Sequence, residues 1–168
     1  MVTVESFLEI WDRFAFNVVQ GVPPSLMPLL RQAFEKRPSL RIEKVMYAGQ
    51  PMNPADRCWL SENLGVKTIA SVIGTTESGQ IAYQCPHCEG NVHHLIDDYN
   101  LTEIVDDNGQ PVADETPGKI LVTNLHKFAL PVVRYAIGDS GAIVAGAPCP
   151  CGSSSRRIRY IGRADNIM

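Results

Sequence analysis

The chain has 168 residues, with 45% hydrophobic residues, 20% charged residues and a formal net charge of −3. These values describe a folded globular protein of one domain or two small ones. They argue against a nucleic-acid binder that works by bulk electrostatics. No apolar run is long enough to span a bilayer, and the start lacks the basic-then-apolar layout of a secretory leader, so a cytoplasmic setting and no membrane partner are expected.

In chain order, residues 3–13 place Phe7, Leu8, Ile10 and Trp11 at helical spacing behind Thr3, a good N-cap. Residues 14–19 read as a short buried strand, broken by Gly21, Pro23 and Pro24. Ser25 then caps a helix to about Lys36, with Leu26, Leu29, Leu30 and Ala33 on one face. Residues 41–48 read as a strand, followed by the turn Gly49-Gln50-Pro51-Met52. A helix follows over residues 54–63, capped by Asn53, opened by Pro54 and ended by Gly65. Residues 67–73 form a third strand. This alternation predicts a parallel βαβαβ half, with the strand ends near Gln20, Gly49 and Gly74 along one edge.

After Gly79 the pattern changes to short β-segments at residues 81–84, 101–105, 118–124, 131–135 and 141–145. Asp106-Asp107-Asn108-Gly109 is a hairpin signal. The expected fold is α/β: a parallel half over residues 1–79, then a small, mainly antiparallel β-subdomain over residues 80–161. Residues 162–168 are set apart as a final segment, read below as a hinge.

Three constellations carry chemistry. The loop Gly74-Thr75-Thr76-Glu77-Ser78-Gly79 closes the third strand, where open α/β sheets bind ligands. Its glycines allow close approach to a phosphate, its hydroxyls can bond phosphate oxygens, and Glu77 could hold Mg²⁺. By itself it also reads as an ordinary polar loop. Cys85-Pro86-His87-Cys88 and Cys149-Pro150-Cys151 are paired cysteine turns. In a reducing compartment, Cys85, Cys88, Cys149 and Cys151 are expected to close a structural zinc site, with His87, His93 or His94 able to replace a thiolate. Asp139, following Gly138 at a strand end, is placed to accept bonds from a ribose diol, or simply to form a turn. Arg134 could be a structural ion-pair partner. The basic tail around Arg156, Arg157 and Arg159 reads better as a solvated face than as an anion patch.

Taken in order, these pieces resemble the adenylate-forming (AMP-forming) ligase superfamily, in particular its phenylacetate–coenzyme A ligase branch. Ala48-Gly49-Gln50-Pro51-Met52 is similar to the turn along the adenine. Ile73-Gly74-Thr75-Thr76-Glu77 is similar to the aromatic-Gly-x-Thr-Glu loop. Pro117-Gly118-Lys119-Ile120 looks like the Gly-Glu-Leu turn and strand. Tyr135-Ala136-Ile137-Gly138-Asp139 resembles Tyr-x-Thr-Gly-Asp, and Gly162-Arg163-Ala164-Asp165 resembles Gly-Arg-x-Asp. The resemblance implies that Thr76 meets the α-phosphate and Glu77 helps to hold Mg²⁺. It implies ribose contact by Asp139, nucleotide contact by Arg163 and a hinge at Asp165. Gly49, Gln50, Pro51, Gly74 and Thr75 would flank the nucleotide.

The implied chemistry is activation of a carboxylic acid, aryl or other, with ATP to an acyl-adenylate and then a coenzyme A thioester. Ile73 stands where an aromatic residue is expected, Ile137 replaces a threonine, and Lys119 replaces a glutamate. The sequence also shows no phosphate loop upstream and no lysine-bearing lid after Asp165. The expectation is therefore a catalytically incomplete fragment, partnered by a complementary fragment or a second copy. The alternative is a zinc-stabilised nucleotide-sensing or protein-interaction module without catalysis.

Overall fold

The computed structural model describes residues 2–164, and the chain divides into two compact units, Met1–Ser71 and Val72–Met168. The first unit opens with helix α1 (Val4–Phe14), whose start is closed by a reciprocal capping box between Thr3 and Ser6. Strand β1 (Val18–Gly21), helix α2 (Pro23–Lys36), strand β2 (Lys44–Tyr47), helix α3 (Pro54–Leu64) and strand β3 (Thr68–Thr75) follow.

The strands pair in parallel in sequence order. Gly21 lies opposite Tyr47, and Tyr47 opposite Ser71, so their carboxyl ends line one edge as the alternation implied. Phe7, Leu26, Leu30, Ala33, Val45, Leu60 and Leu64 form the core of this unit.

Two boundaries differ from the sequence reading. The segment expected as a strand from Phe14 begins as helix, because α1 runs to Phe14 and ends on Ala15 in the left-handed conformation, bonded to the Trp11 carbonyl. The strand starts only at Val18. Pro23 and Pro24 do not merely break the chain; they form the first turn of α2 behind Val22. Their missing N–H groups fall where a helix has no internal acceptor to offer, so no Ser25 cap is needed.

Strand β3 carries the chain between the units: residues up to Ser71 pair in parallel with β2, and Val72 to Thr75 pair antiparallel with β4 (Gly79–Tyr83). The second unit continues with β5 (Val92–Leu95), β6 (Asn100–Val105), β7 (Gly118–Asn124), β8 (Tyr135–Val144) and β9 (Arg157–Arg163). Its antiparallel strand order is β3-β4-β5-β9-β8-β7-β6. The expected segment 141–145 lies mostly in β8, which starts only at Tyr135, so residues 131–134 of the other expected segment are not strand; β5 and β9 are additional.

Asp106 accepts backbone N–H bonds from Asn108 and Gln110 and closes the expected turn. This turn leads first to a single bridge between Val105 and Pro111 before β7 pairs with β6. The interior is lined by Ile81, Leu95, Ile104, Ile120, Val122, Ile137 and Ile158, drawn from all six of β4 to β9. Among the described residues, no helix is long and apolar enough to cross a membrane.

Leu30 is fully buried in the first unit. Leu30→Ala is expected to lower unfolding free energy by about 2–5 kcal/mol in urea titrations, the usual cost of a large-to-small core change.

Candidate functional site

The loop after β3 is the tip of the β3–β4 hairpin. Gly74 is fixed there by close approach: a Cβ on it would sit 2.6 Å from the Gly79 carbonyl oxygen. Thr75 Oγ1 accepts the Ser78 backbone N–H at 3.0 Å and lies 2.8 Å from the Ser78 hydroxyl, so one hydroxyl holds the turn from inside. Thr76 is exposed and Glu77 half-buried.

Side chains from the far edge of the same sheet hold the hairpin carbonyls. Lys127 Nζ donates to the carbonyls of Thr76 (3.2 Å) and Glu77 (3.0 Å). Asn124 Nδ2 donates to the Ser78 carbonyl at 3.1 Å and to Asn100 Oδ1 at 2.6 Å. Asn100 Nδ2 donates to the Gln80 carbonyl at 2.8 Å. Asn100 and Asn124 face each other in register across β6 and β7. Both asparagines and Lys127 escaped the sequence reading. Asn124 fell inside the expected segment 118–124 with no role assigned, Asn100 was not singled out, and Lys127 belongs to no recognisable spacing. Ile73 packs against the interior of the second unit, which explains an aliphatic residue at that position.

Asp139 lies within β8, not at a strand end as expected, because the strand continues through Gly138 to Val144; it is directly opposite Arg163 on β9. Its side chain is 12% exposed, and Arg163 Nη1 donates to its Oδ1 at 3.2 Å. The Tyr160 hydroxyl donates to the same oxygen at 3.1 Å. Oδ2 makes no hydrogen bond among the described residues. Burial, then the charge of Asp139 and the bond to it, push the Tyr160 hydroxyl up to about 12. Gly138 has φ +79°, and a Cβ there would press on the Arg163 guanidinium at 2.6 Å. The glycine thus serves both the left-handed backbone within β8, where its register with β7 shifts, and the seating of Arg163. Asp165 lies outside the described residues.

The other arginines of β9 and the residue before it have partners. Arg156 pairs with Asp97 and Arg159 with Glu115, while Arg157 donates to the Ala147 carbonyl. Arg134 pairs with Glu103 at 3.2 Å. The basic tail is therefore a paired face.

The two cysteine turns converge. Cys85 Sγ lies 3.6 Å from both Cys88 Sγ and Cys149 Sγ, and Cys151 Sγ lies 3.4 Å from His94 Nε2. Zinc bound tetrahedrally to thiolates at about 2.3 Å requires sulfur separations of about 3.8 Å, so the cluster suits such an ion. The backbone N–H of Cys151 draws the Cys149 thiol down, towards the thiolate, whereas burial pushes Cys85 up. Burial also pushes His94 down, towards the neutral imidazole that metals bind.

In the first unit, Gly49 takes φ +79° in the turn after β2. Gln50 and Pro51 line an open groove of about 410 Å³ beside Pro23 and Met27, with Arg31 and Asp56 also on its wall. Arg31 and Asp56 form an ion pair at 2.8 Å, and the Arg31 guanidinium stacks 4.4 Å from the Trp59 ring centre.

Residues 2–128 match the model of the AMP-binding enzymes, and the chain belongs to that family. It is 31% identical over 153 residues to a phenylacetate–coenzyme A ligase of Thermus thermophilus, an alignment covering 86% of this chain and 34% of the relative. It is 29% identical to the phenylacetate–coenzyme A ligase of Escherichia coli K12, over 77% of this chain and 29% of that protein. An indoleacetate–lysine synthetase of Pseudomonas savastanoi is 23% identical over 83% of this chain and 33% of its own length. The chain thus spans about a third of the length of these curated relatives. The fold matches a 2-hydroxyisobutyryl-CoA ligase structure in complex with 2-HIB-AMP and CoA at TM-score 0.81 and 18% identity, covering 97% of this chain and 40% of that one.

Two measurements test this geometry. Gly74→Ala is expected to destabilise the chain by about 1–3 kcal/mol in urea, because the added methyl would sit 2.6 Å from the Gly79 carbonyl oxygen.

Ultraviolet titration should show one tyrosine ionising near 12, moving down towards 10 in Asp139→Asn. The folded value lies above the unfolded one, so this contribution to stability is complete below about pH 10 and is lost as pH rises towards 12.

Proposed function

We propose that this chain supplies nucleotide-binding residues of an AMP-forming acyl–coenzyme A ligase acting on an aryl or related carboxylic acid. The observation that carries the reading is the Asp139 carboxylate. It is nearly buried and is held at Oδ1 by Tyr160 and Arg163, which leaves Oδ2 to accept a diol. Family membership and the names of the phenylacetate–coenzyme A ligase relatives support the reaction class.

In that reaction a carboxylate oxygen of the acid attacks the α-phosphorus of ATP. The bond to the departing pyrophosphate breaks and an acyl-adenylate forms. The coenzyme A thiolate, its proton released to solvent or a base, then attacks the acyl carbon, and AMP leaves. The protein's contribution is largely positioning and charge stabilisation. Thr76 donates a hydrogen bond to an α-phosphate oxygen, with Gly74 and Thr75 shaping the hairpin that presents it. Glu77 would hold Mg²⁺, which would supply charge neutralisation at the phosphates. Asp139 orients the ribose, and Arg163 restrains Asp139 while offering its remaining donors to the nucleotide.

Lys127, Asn124 and Asn100 act through the hairpin as positioning residues. Their bonds occupy its carbonyls, so the loop is held before the nucleotide arrives. The cysteine turns would hold a structural zinc ion, in a cytoplasmic setting where thiols stay reduced.

Titration calorimetry of the chain with AMP tests the reading. Saturable binding is expected, weakened at least tenfold by Asp139→Ala and much less by Glu77→Ala, whose partner is the metal bound with ATP. Equal AMP affinity in wild type and Asp139→Ala would contradict it.

A further inference from the structure

The cysteine cluster contains one donor too many for a tetrahedral ion. Cys85, Cys88, Cys149 and Cys151 form the set that the cysteine turns suggest, yet His94 reaches into the same space. The donor atoms of Cys85, Cys88, His94 and Cys149 all lie within 4.8 Å of one another. Resting on the zinc reading above, we infer that the donor set is three thiolates and one imidazole, from Cys85, Cys88, Cys149 and His94, and that Cys151 stands outside it as a free thiol.

Burial separates the candidates. His94 is fully buried and Cys149 is 5% exposed, with Cys85 and Cys88 half-buried, whereas Cys151 is exposed. A closed structural site keeps its ligands from solvent, and Cys151 is the donor that solvent reaches best.

The imidazole is also prepared for the role. Tyr83 stacks on it with ring centres 5.4 Å apart. Among the described residues, its Nδ1 makes no hydrogen bond, and Nε2 has only the Cys151 sulfur, at 3.4 Å. A buried imidazole so poorly served by hydrogen bonds carries a cost that ligation removes.

Topology gives the set a purpose. His94 on β5 pairs with Tyr83 on β4 and with Arg157 on β9. Cys85 and Cys88 lie on the turn leaving β4, and Cys149 on the turn before β9. An ion on these four residues fastens three neighbouring strands, and the fastening includes the central one only through His94.

The test uses the full chain purified without metal-chelate chromatography. Zinc-edge X-ray absorption is expected to show three sulfur neighbours and one nitrogen. In chelator competition, Cys151→Ser should keep one equivalent of zinc with affinity changed less than about tenfold. His94→Gln should lose more than the roughly 10–100-fold typical of an outer-shell partner.

Alkylation of the zinc-loaded protein should modify Cys58 and Cys151 and spare the other three cysteines. If His94→Gln fails to fold by circular dichroism, the absorption spectrum and the Cys151 results decide. One equivalent of zinc held by four sulfurs, with Cys151 protected, overturns the donor set and leaves the zinc reading standing. A wild-type chain that binds no zinc overturns both.

Discussion

The second unit depends on a problem of backbone satisfaction at the β3–β4 hairpin. A tight turn leaves carbonyls that the strand ladder cannot use, and a carbonyl withdrawn from water without a partner costs free energy comparable to a lost hydrogen bond. Here the carbonyls of Thr76, Glu77, Ser78 and Gln80 receive Lys127, Asn124 and Asn100. Those donors come from β6, from β7 and from just beyond it, at the opposite end of the strand order from β3. Satisfying the turn therefore requires the sheet to curl back on itself. That curl encloses the interior lined by Ile81, Ile120, Val122 and Ile158. Gly74 belongs to the same constraint, since only a residue without a Cβ lets the hairpin strands approach as they do.

The same economy appears at β8 and β9. Asp139 and Arg163 are opposite each other in the ladder, so strand register alone brings the ion pair together. Tyr160 adds a neutral donor to the carboxylate, fixing its rotamer without consuming the second oxygen. On the cysteine side, a buried histidine on β5 joins the turns that flank β4 and β9. In both places the strand pairing does the assembling, and the local side chains complete it.

Much of this was legible in the sequence for definite reasons. The parallel half announced itself through helical spacing between β-branched runs and through Thr3, Asn53 and Gly65 at helix ends, all three of which cap as expected. The convergence of Cys85, Cys88, Cys149 and Cys151 followed from two paired turns.

The misses also have causes. Strand β5 is four residues long and contains two histidines, too short and too polar to register as a strand. Strand β9 was hidden by its arginines. Its signal was present nonetheless in the alternation of Arg157, Arg159 and Arg163 with Ile158 and Tyr160. The asparagine pair could not be read, because Asn100 and Asn124 acquire their role only once β6 and β7 are in register.

The central claim is that the hairpin tip and the Asp139 segment of β8 receive a nucleotide. The most direct measurement is the amide proton–nitrogen spectrum of the isotope-labelled chain during titration with AMP. Saturable shifts concentrated at Gly74 to Gly79 and at Ile137 to Ser140 are the outcome this account requires. An AMP titration that leaves both segments unmoved, or that perturbs only residues remote from them, would contradict it.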